Sequence, residues 1–563
     1  MNDQRHSRRS RAESAADTAR VRGSLGSVHP MLALYSDGID ESELFANGEN
    51  GGSAASASGT GSRHDEMLVR LGSDSVANAE EQISAKLLEH AKPPGAAAGD
   101  ADLSTRVSTS SPEPADTGAF ADWYSLPAEY RVSDTKTYST YFQAFVGAGV
   151  LFLPSAFKSA GVALSLGTMV LTTFLSTVCM IKMVECKRRL AADFTAGHFH
   201  GLADPRQVIS YGTLGSVSLG SDWGRWVVDI SIGVSQLLFS TAYLIFVSKN
   251  LHEIVFQLGN CETSADISST AFIWMMFPFL IPLMCIRQLS KFSLAIIIAD
   301  TCMIGGLVYL YANNIGHLAQ HGIGRGIVQF DAVGFWTFLG TALFALDGTV
   351  FVLPIEHAME TPESFHRITY VSGFGIGGLY MSFGLIGYLS FGSDVEAIIL
   401  LNLKKANPHS VPAVLLQFAY CLALFLAIPL IMFPVVRLVE NQLVPVRHDS
   451  STGEKIVTTE QTWKKNALRI LLTLLCAVIA TFAGSNFDSF VSLIGGLVSV
   501  HLTLTFPAWF HLKICSDALT RADRMINYVC VAAGCIGTVA CTAVTVYQWT
   551  RMSGDATTAC TRQ

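Results

Sequence analysis

Apolar residues in this chain run in long blocks and do not alternate. Between residues 137 and 549 the blocks reach about 17 to 25 residues, the length a helix needs to cross roughly 30 Å of hydrocarbon, and polar residues collect between them. Eleven blocks are predicted to span a membrane: 137–159, 162–183, 226–250, 270–287, 291–312, 334–358, 368–391, 411–436, 465–484, 488–511 and 525–549. A helix satisfies its backbone polar groups within each segment, and the short alternating pattern of a membrane barrel is missing. The fold class expected is therefore an all-α membrane protein of eleven transmembrane helices over residues 135–550, embedded in a lipid bilayer.

Composition narrows the picture in the same direction. Half of the 563 residues are hydrophobic and only 15% are charged, a poor match to two or three soluble domains or to a nucleic-acid-binding protein. The net charge of −7 matters less than the placement of cations, because Lys and Arg are retained on the cytoplasmic side during insertion. The connection 182–225 holds Lys182, Lys187, Arg188, Arg189, Arg206 and Arg225, and 437–469 holds Arg437, Arg447, Lys455, Lys464, Lys465 and Arg469. The opposite connections hold Lys249, Arg325, Lys404, Lys405 and little else. This asymmetry predicts a cytosolic N-terminus and a short non-cytosolic tail over 551–563.

Residues 1–130 differ in kind, with Ser, Ala, Gly, Asp and Arg dominant and no apolar signal-peptide core, and they are expected to form a disordered cytosolic tail open to cytosolic partners. In the loop 187–225, His198 to His200 lack a third metal ligand at usable spacing, so no metal is expected; Tyr211 to Leu214 (YGTL) has the form of a tyrosine-based sorting signal. The twelve cysteines contain no CxxC pair and read mostly as small apolar packing residues; Cys261 and Cys560 fall on the same predicted side, where a bridge is open to them.

The first and sixth blocks share an irregularity. The first reads Phe145-Val-Gly-Ala-Gly149 and reaches Leu153-Pro154; the sixth reads Phe344-Ala-Leu-Asp-Gly348 and reaches Leu353-Pro354. Interrupted helices at matching positions of two halves are the sequence trace of an inverted repeat with its binding site at the membrane midplane. Where a helix unwinds, N–H groups of the restarted half and carbonyls of the preceding half lose their intrahelical partners, which hydrocarbon tolerates only around a polar cavity or ligand. Exposed N–H groups suit a carboxylate and exposed carbonyls an ammonium, so a zwitterion fits both. The alternative use of Gly147 and Gly149 is close helix packing.

Asp347, inside the second break, is costly at mid-membrane unless paired, hydrated or protonated, which makes it a candidate for proton coupling; capping the broken helix is its alternative role. Asp300 in the fifth block and His501 in the tenth are further proton-relay candidates, beside the polar trio Ser235, Gln236 and Ser240 in the third. Interhelical hydrogen bonding is the commoner use of such groups.

The stretches AFVGAGVLFLPSAFKSAG (Ala144 to Gly161), LFALDGTVFVLPIEHAM (Leu343 to Met359), GYLSFGSDVEAIILLNL (Gly387 to Leu403) and FPVVRLVE (Phe433 to Glu440) resemble the amino acid/auxin permease family, in particular its vacuolar and proton-coupled amino-acid transporters. The resemblance runs from Thr135 to Tyr547. It implies the five-plus-five inverted-repeat fold of the amino acid–polyamine–organocation superfamily, with broken helices 1 and 6 and an added helix 11, and secondary active transport of amino acids. It implies that the backbone of Gly147, Ala148 and Gly149 meets the substrate carboxylate, that the backbone around Phe344, Ala345 and Leu346 meets its ammonium, and that Phe145 is a further substrate-binding residue, with side chains such as Phe344 lining the pocket. It also implies a vacuolar or lysosomal membrane ahead of a plasma membrane.

Two positions depart from the family pattern: many relatives carry Glu where Asp347 stands, and animal proton-coupled members carry His near Thr140. The eighth block, Val411 to Val436, has no Ser or Thr, whereas sodium-coupled members of this fold use such a pair there, which disfavours sodium. The expectation is a proton-coupled transporter of neutral amino acids without a cofactor; the alternatives are a sodium-coupled transporter and a sensor that signals through its tail.

Overall fold

The computed structural model describes residues 131–195, 210–258, 268–286, 293–406, 411–444, 447–448, 455–456 and 459–560. In chain order, α1 (Asp134–Phe145) gives way to a 3₁₀ turn (Ala148–Phe152) and α2 (Leu153–Ala160). Next come α3 (Val162–Thr195), the short α4 (Tyr211–Leu219), α5 (Asp222–Leu258), α6 (Ser269–Cys285) and α7 (Ser293–His321). After α8 (Gly334–Ala345), a 3₁₀ turn (Thr349–Phe351) leads to α9 (Val352–His357), followed by α10 (Phe365–Phe391), α11 (Ile399–Ala406) and α12 (Val411–Leu443). A two-residue hairpin pair, Arg447–His448 with Lys455–Ile456, precedes α13 (Thr459–Ala483). Then α14 (Phe487–Ile494) continues through two π-helical stretches (Gly495–Ser499 and His501–Thr505) into α15 (Phe506–Ile514), and α16 (Arg521–Cys560) closes the chain.

Each predicted block coincides with a helix or a run of helical pieces. By length and apolarity, the described residues contain seven stretches able to cross a membrane, and eight if the pair Asp134–Phe145 and Ala148–Ala160, bent by 47°, is one span. The tally falls below eleven partly because Glu460–Ile514 forms one 55-residue stretch where two blocks were expected, and because α6 is a shorter apolar helix. The cause in the first case is local: only a 3₁₀ turn at Gly484–Asn486 separates α13 from α14.

Two sets of helices pack internally, α2, α3, α8 and α10 in one, and α5, α6, α12 and α13 in the other, with α14 touching both α8 and α5. Helix α8 meets the chain of α14 at backbone distance, because a Cβ on Gly495 would lie 1.7 Å from the Gly340 carbonyl oxygen. That contact brings the π-helical stretch against the second break.

Helices α3 and α5 run beyond their predicted ends, and α16 continues past residue 550, so part of the expected C-terminal tail is helical. The Tyr211 sorting-signal reading fails on burial. Tyr211 opens α4, is 5% exposed, and donates its phenol to the Leu502 carbonyl at 2.6 Å, so an adaptor in solution cannot reach it. The expectations for the 1–130 tail, His198–His200 and Cys261 lie outside the described residues.

Candidate functional site

The two interruptions lie directly against each other. Helix α1 ends at Phe145, and Pro154 stands in the first turn of α2, where its missing N–H has no intrahelical use. In the second break α8 ends at Ala345, and Pro354 stands in the first turn of α9. A Cβ on Gly149 would come within 2.8 Å of the Ala345 Cα, and one on Gly348 within 2.6 Å of the Phe145 ring. Each break therefore uses a glycine to seat the other. Close packing, the alternative reading of Gly149, is real, and it is also what joins the two sets of unwound backbone.

Two tyrosines complete the first break. Tyr380 of α10 donates to the Phe145 carbonyl at 2.5 Å and faces the Gly147 N–H, while the Tyr243 phenol of α5 faces the Ala148 N–H. The Phe145 carbonyl, which also accepts from the Gly147 N–H at 3.1 Å, and the Ala148 N–H are thus met by hydroxyls inside the protein. Sequence reasoning missed both residues, because a tyrosine in an apolar block reads as packing.

At the second break Ser235 donates to Asp347 Oδ2 at 3.3 Å, Ser499 stands beside the same carboxylate, and Oδ1 is buried with no hydrogen-bond partner among the described residues. No backbone N–H reaches Oδ1, and the bond given for Oδ2 is to Ser235, so the carboxylate faces α5 and the π-helical stretch. Of the polar trio on the third block, Ser235 reaches the site, whereas Ser240 bonds back to the Gln236 carbonyl.

Phe344, Ala345 and Leu346 are buried at the break. Phe344 stacks on Phe239, with ring centroids 4.2 Å apart and planes at 11°, and leans on Phe152, which meets Phe487 edge-on at 5.1 Å. Behind this aromatic cluster, Lys249 lies over the Phe487 ring and Ser155 donates to Asp488. Asp300 belongs to α7, whose main partners are α12 and α10; His501 pairs its ring nitrogens with Thr505 at 3.1 Å and Thr538 of α16 at 3.0 Å, an interhelical hydrogen-bonding role.

On the side that carries the basic connections, a buried ion cluster closes the site. Glu356 of α9, with no exposed side chain, accepts from Lys187 at 2.9 Å and Arg188 at 3.0 Å, both of α3, and Arg188 also donates to the Pro362 carbonyl at 2.5 Å. Residue 132 pairs with the strand-like segment after α9, Val132 N–H to Ala358 O at 2.7 Å and Glu360 N–H to Val132 O at 3.0 Å. The start of α1 and the end of α9 are thereby tied. In the sequence Lys187 and Arg188 signal only topology; the partner that makes them structural lies 169 and 168 residues away.

Removing one member of that cluster leaves charge buried without its counterpart, which costs about 3–5 kcal/mol, far more than an exposed pair is worth. Glu356→Gln is expected to destabilise the protein by about that amount in thermal unfolding in detergent, and the double variant Glu356→Leu, Lys187→Met to recover most of it. A single variant as stable as the parent would show the cluster to be hydrated and exposed.

Interrupted helices packed break to break, lidded by aromatics on one side and by ions on the other, define a multi-pass helical membrane protein with a polar centre. The family described as transmembrane amino acid transporter protein matches residues 131–547, and the chain belongs to it, among membrane transporters and not enzymes. It is 30% identical over 394 residues to vacuolar amino acid transporter 3 of Schizosaccharomyces pombe, covering 70% of this chain and 55% of that protein. It is also 30% identical over 415 residues to amino acid transporter AVT3B of Arabidopsis thaliana, covering 72% and 91%. The chain thus spans about half the length of the fungal relative and most of the plant one. Likeness to the solved nucleobase-cation-symport-1 family transporter Mhp1 has a TM-score of 0.42 at 11% identity, covering 75% of this chain and 94% of that one.

Proposed function

We propose that this protein is a secondary active amino-acid transporter, proton-coupled, that carries neutral amino acids by alternating access across a vacuolar or lysosomal membrane. The observation that carries the reading is the contact of the two breaks at Gly149 and Ala345, with the one unpartnered carboxylate oxygen of Asp347 beside it. The reading takes the chain as eleven spans in a five-plus-five inverted repeat, with its basic side in the cytosol. Substrate carboxylate then replaces the Tyr380 and Tyr243 hydroxyls at the N–H groups of Gly147 and Ala148, and substrate ammonium takes carbonyls around Phe344 to Leu346. Family membership and the names of the relatives support amino acids as the cargo.

Proton coupling follows from chemistry at Asp347. A carboxyl that is neutral when one side is open and ionised when the other is open moves a proton with each cycle, and desolvation at mid-membrane favours the neutral form. The test is uptake by proteoliposomes across an amino-acid panel, with proton and sodium gradients imposed separately. Uptake driven by the proton gradient alone is expected; dependence on sodium would overturn the coupling, and no uptake of any amino acid would overturn the transport reading.

The strap between Val132 and Met359 favours a second role, because it ties the point where residues 1–130 join to the end of α9. Occupancy sensing through the tail is then mechanically available. The same vesicles prepared with a chain lacking residues 1–130 separate the roles, since pure transport leaves flux unchanged.

A further inference from the structure

Near Asp347 the structure holds more buried hydroxyls than it has partners for. Thr349 on the 3₁₀ turn, and Ser499 and Thr503 on the π-helical stretches, are each fully buried; the Thr349 and Thr503 hydroxyls have no hydrogen-bond partner among the described residues, and Ser499 has only the Asp347 carboxylate beside it. They share a neighbourhood. Ser499 stands beside the Asp347 carboxylate, the turn Thr349–Phe351 packs on His501–Thr505, and Thr503 follows Ser499 by one helical turn toward the basic side. Buried hydroxyls without protein partners cost free energy unless water serves them, and a water needs two to four polar groups around it. The Thr349 and Thr503 hydroxyls, with the Ser499–Asp347 pair between the two stretches, offer polar groups of that number.

The row has an exit. Tyr211, at the start of α4 in the connection rich in Lys and Arg, reaches in to the Leu502 carbonyl at 2.6 Å and lies within electrostatic range of Asp347. Leu502 belongs to a π-helical stretch, and the i→i+5 pattern of such turns disturbs the regular ladder, opening carbonyls to outside donors. The other titratable groups facing Tyr211 are Cys179 and Cys186 of α3; His501 is turned away to Thr538. No other ionisable side chain acts on Asp347 or Tyr211 among the described residues.

We infer that Ser499, Thr349 and Thr503 hold a short chain of water that connects Asp347 to Tyr211, and that this chain is the path by which the coupling proton leaves toward the basic side. The inference rests on the proton-coupled reading above. The Asp347 carboxyl gives its proton to the first water, each water passes one proton onward, and one proton emerges; no other bond changes. Thr503 and Tyr211 position water and are not in contact with the amino acid.

The test uses the full chain in proteoliposomes with two readouts, pH-gradient-driven uptake and amino-acid counterflow at equal pH, the second needing no net proton movement. For Thr503→Val and Tyr211→Phe, gradient-driven uptake is expected to fall at least about tenfold while counterflow stays within about twofold of the parent. Both variants remove a hydroxyl with little change of shape, and counterflow reports folding directly. Parental gradient-driven uptake in both variants overturns the route. So does a raised Tm in Thr503→Val with coupling unchanged, because removing a dry, unsatisfied hydroxyl stabilises a protein. If the parent protein shows no proton-driven uptake at all, the coupling reading itself fails and the route with it.

Discussion

Asp347→Asn is expected to abolish pH-gradient-driven uptake, to background or by at least about a hundredfold, while amino-acid counterflow and thermal stability in detergent stay near the parent values. The amide keeps an oxygen for the Ser235 hydroxyl at the Oδ2 position, so the local bond survives, yet it cannot alternate between a neutral and an ionised form. Stability is protected because a carboxylate at this depth is costly to begin with. Full gradient-driven uptake by this variant would remove Asp347 from coupling. Loss of counterflow along with uptake would instead assign it to substrate binding or to the architecture of the break.

Gly149→Val is expected to remove measurable substrate binding, with an affinity loss of at least about tenfold in scintillation-proximity binding. A Cβ there meets the Ala345 Cα at 2.8 Å, and backbone, unlike a flexible side-chain tip, cannot swing aside. The two breaks must separate, at a cost of about 1–3 kcal/mol for overpacking, and 1.4 kcal/mol of that lost from binding is already a factor of ten. Unchanged affinity in a folded Gly149→Val protein would show that the substrate does not sit on backbone held by this contact. Gly348→Val probes the reciprocal seat on the Phe145 ring and is expected to be milder, since a ring can tilt.

The positions of the helices were legible because burial in lipid imposes a length and an apolarity on every segment, and both can be read without knowing what packs against what. The interruptions at Phe145–Pro154 and Phe344–Pro354 were equally visible, since Gly and Pro act on the backbone of their own segment. Asp347 stood out because a charge in an apolar block is conspicuous. The site also contains residues with no such mark. Tyr243 and Tyr380 look like any aromatic in a buried helix, and Ser499, Thr349 and Thr503 look like ordinary small residues of membrane helices.

His501 shows the limit from the other side. A histidine in a span invites a relay reading, yet its two ring nitrogens are engaged by Thr505 and Thr538 on the face toward α16. Direction around a helix axis decides which groups it meets, and only neighbours fix that direction. The Tyr211 motif failed for the same reason, because the sequence places it in a connection while α4 folds it under the ends of α5 and α15.

What the sequence determined by itself was therefore local: where helices form, and where Gly and Pro interrupt two of them. Each of these follows from the chemistry of a single segment in its solvent. What only the tertiary structure decided was pairing across the chain: Gly149 against Ala345, Gly348 against Phe145, Glu356 with Lys187 and Arg188, and the unpartnered hydroxyls gathered beside Asp347. The glycine and ion pairings join residues about 170 to 200 positions apart, and their energies depend on distance and burial, quantities that no single segment carries.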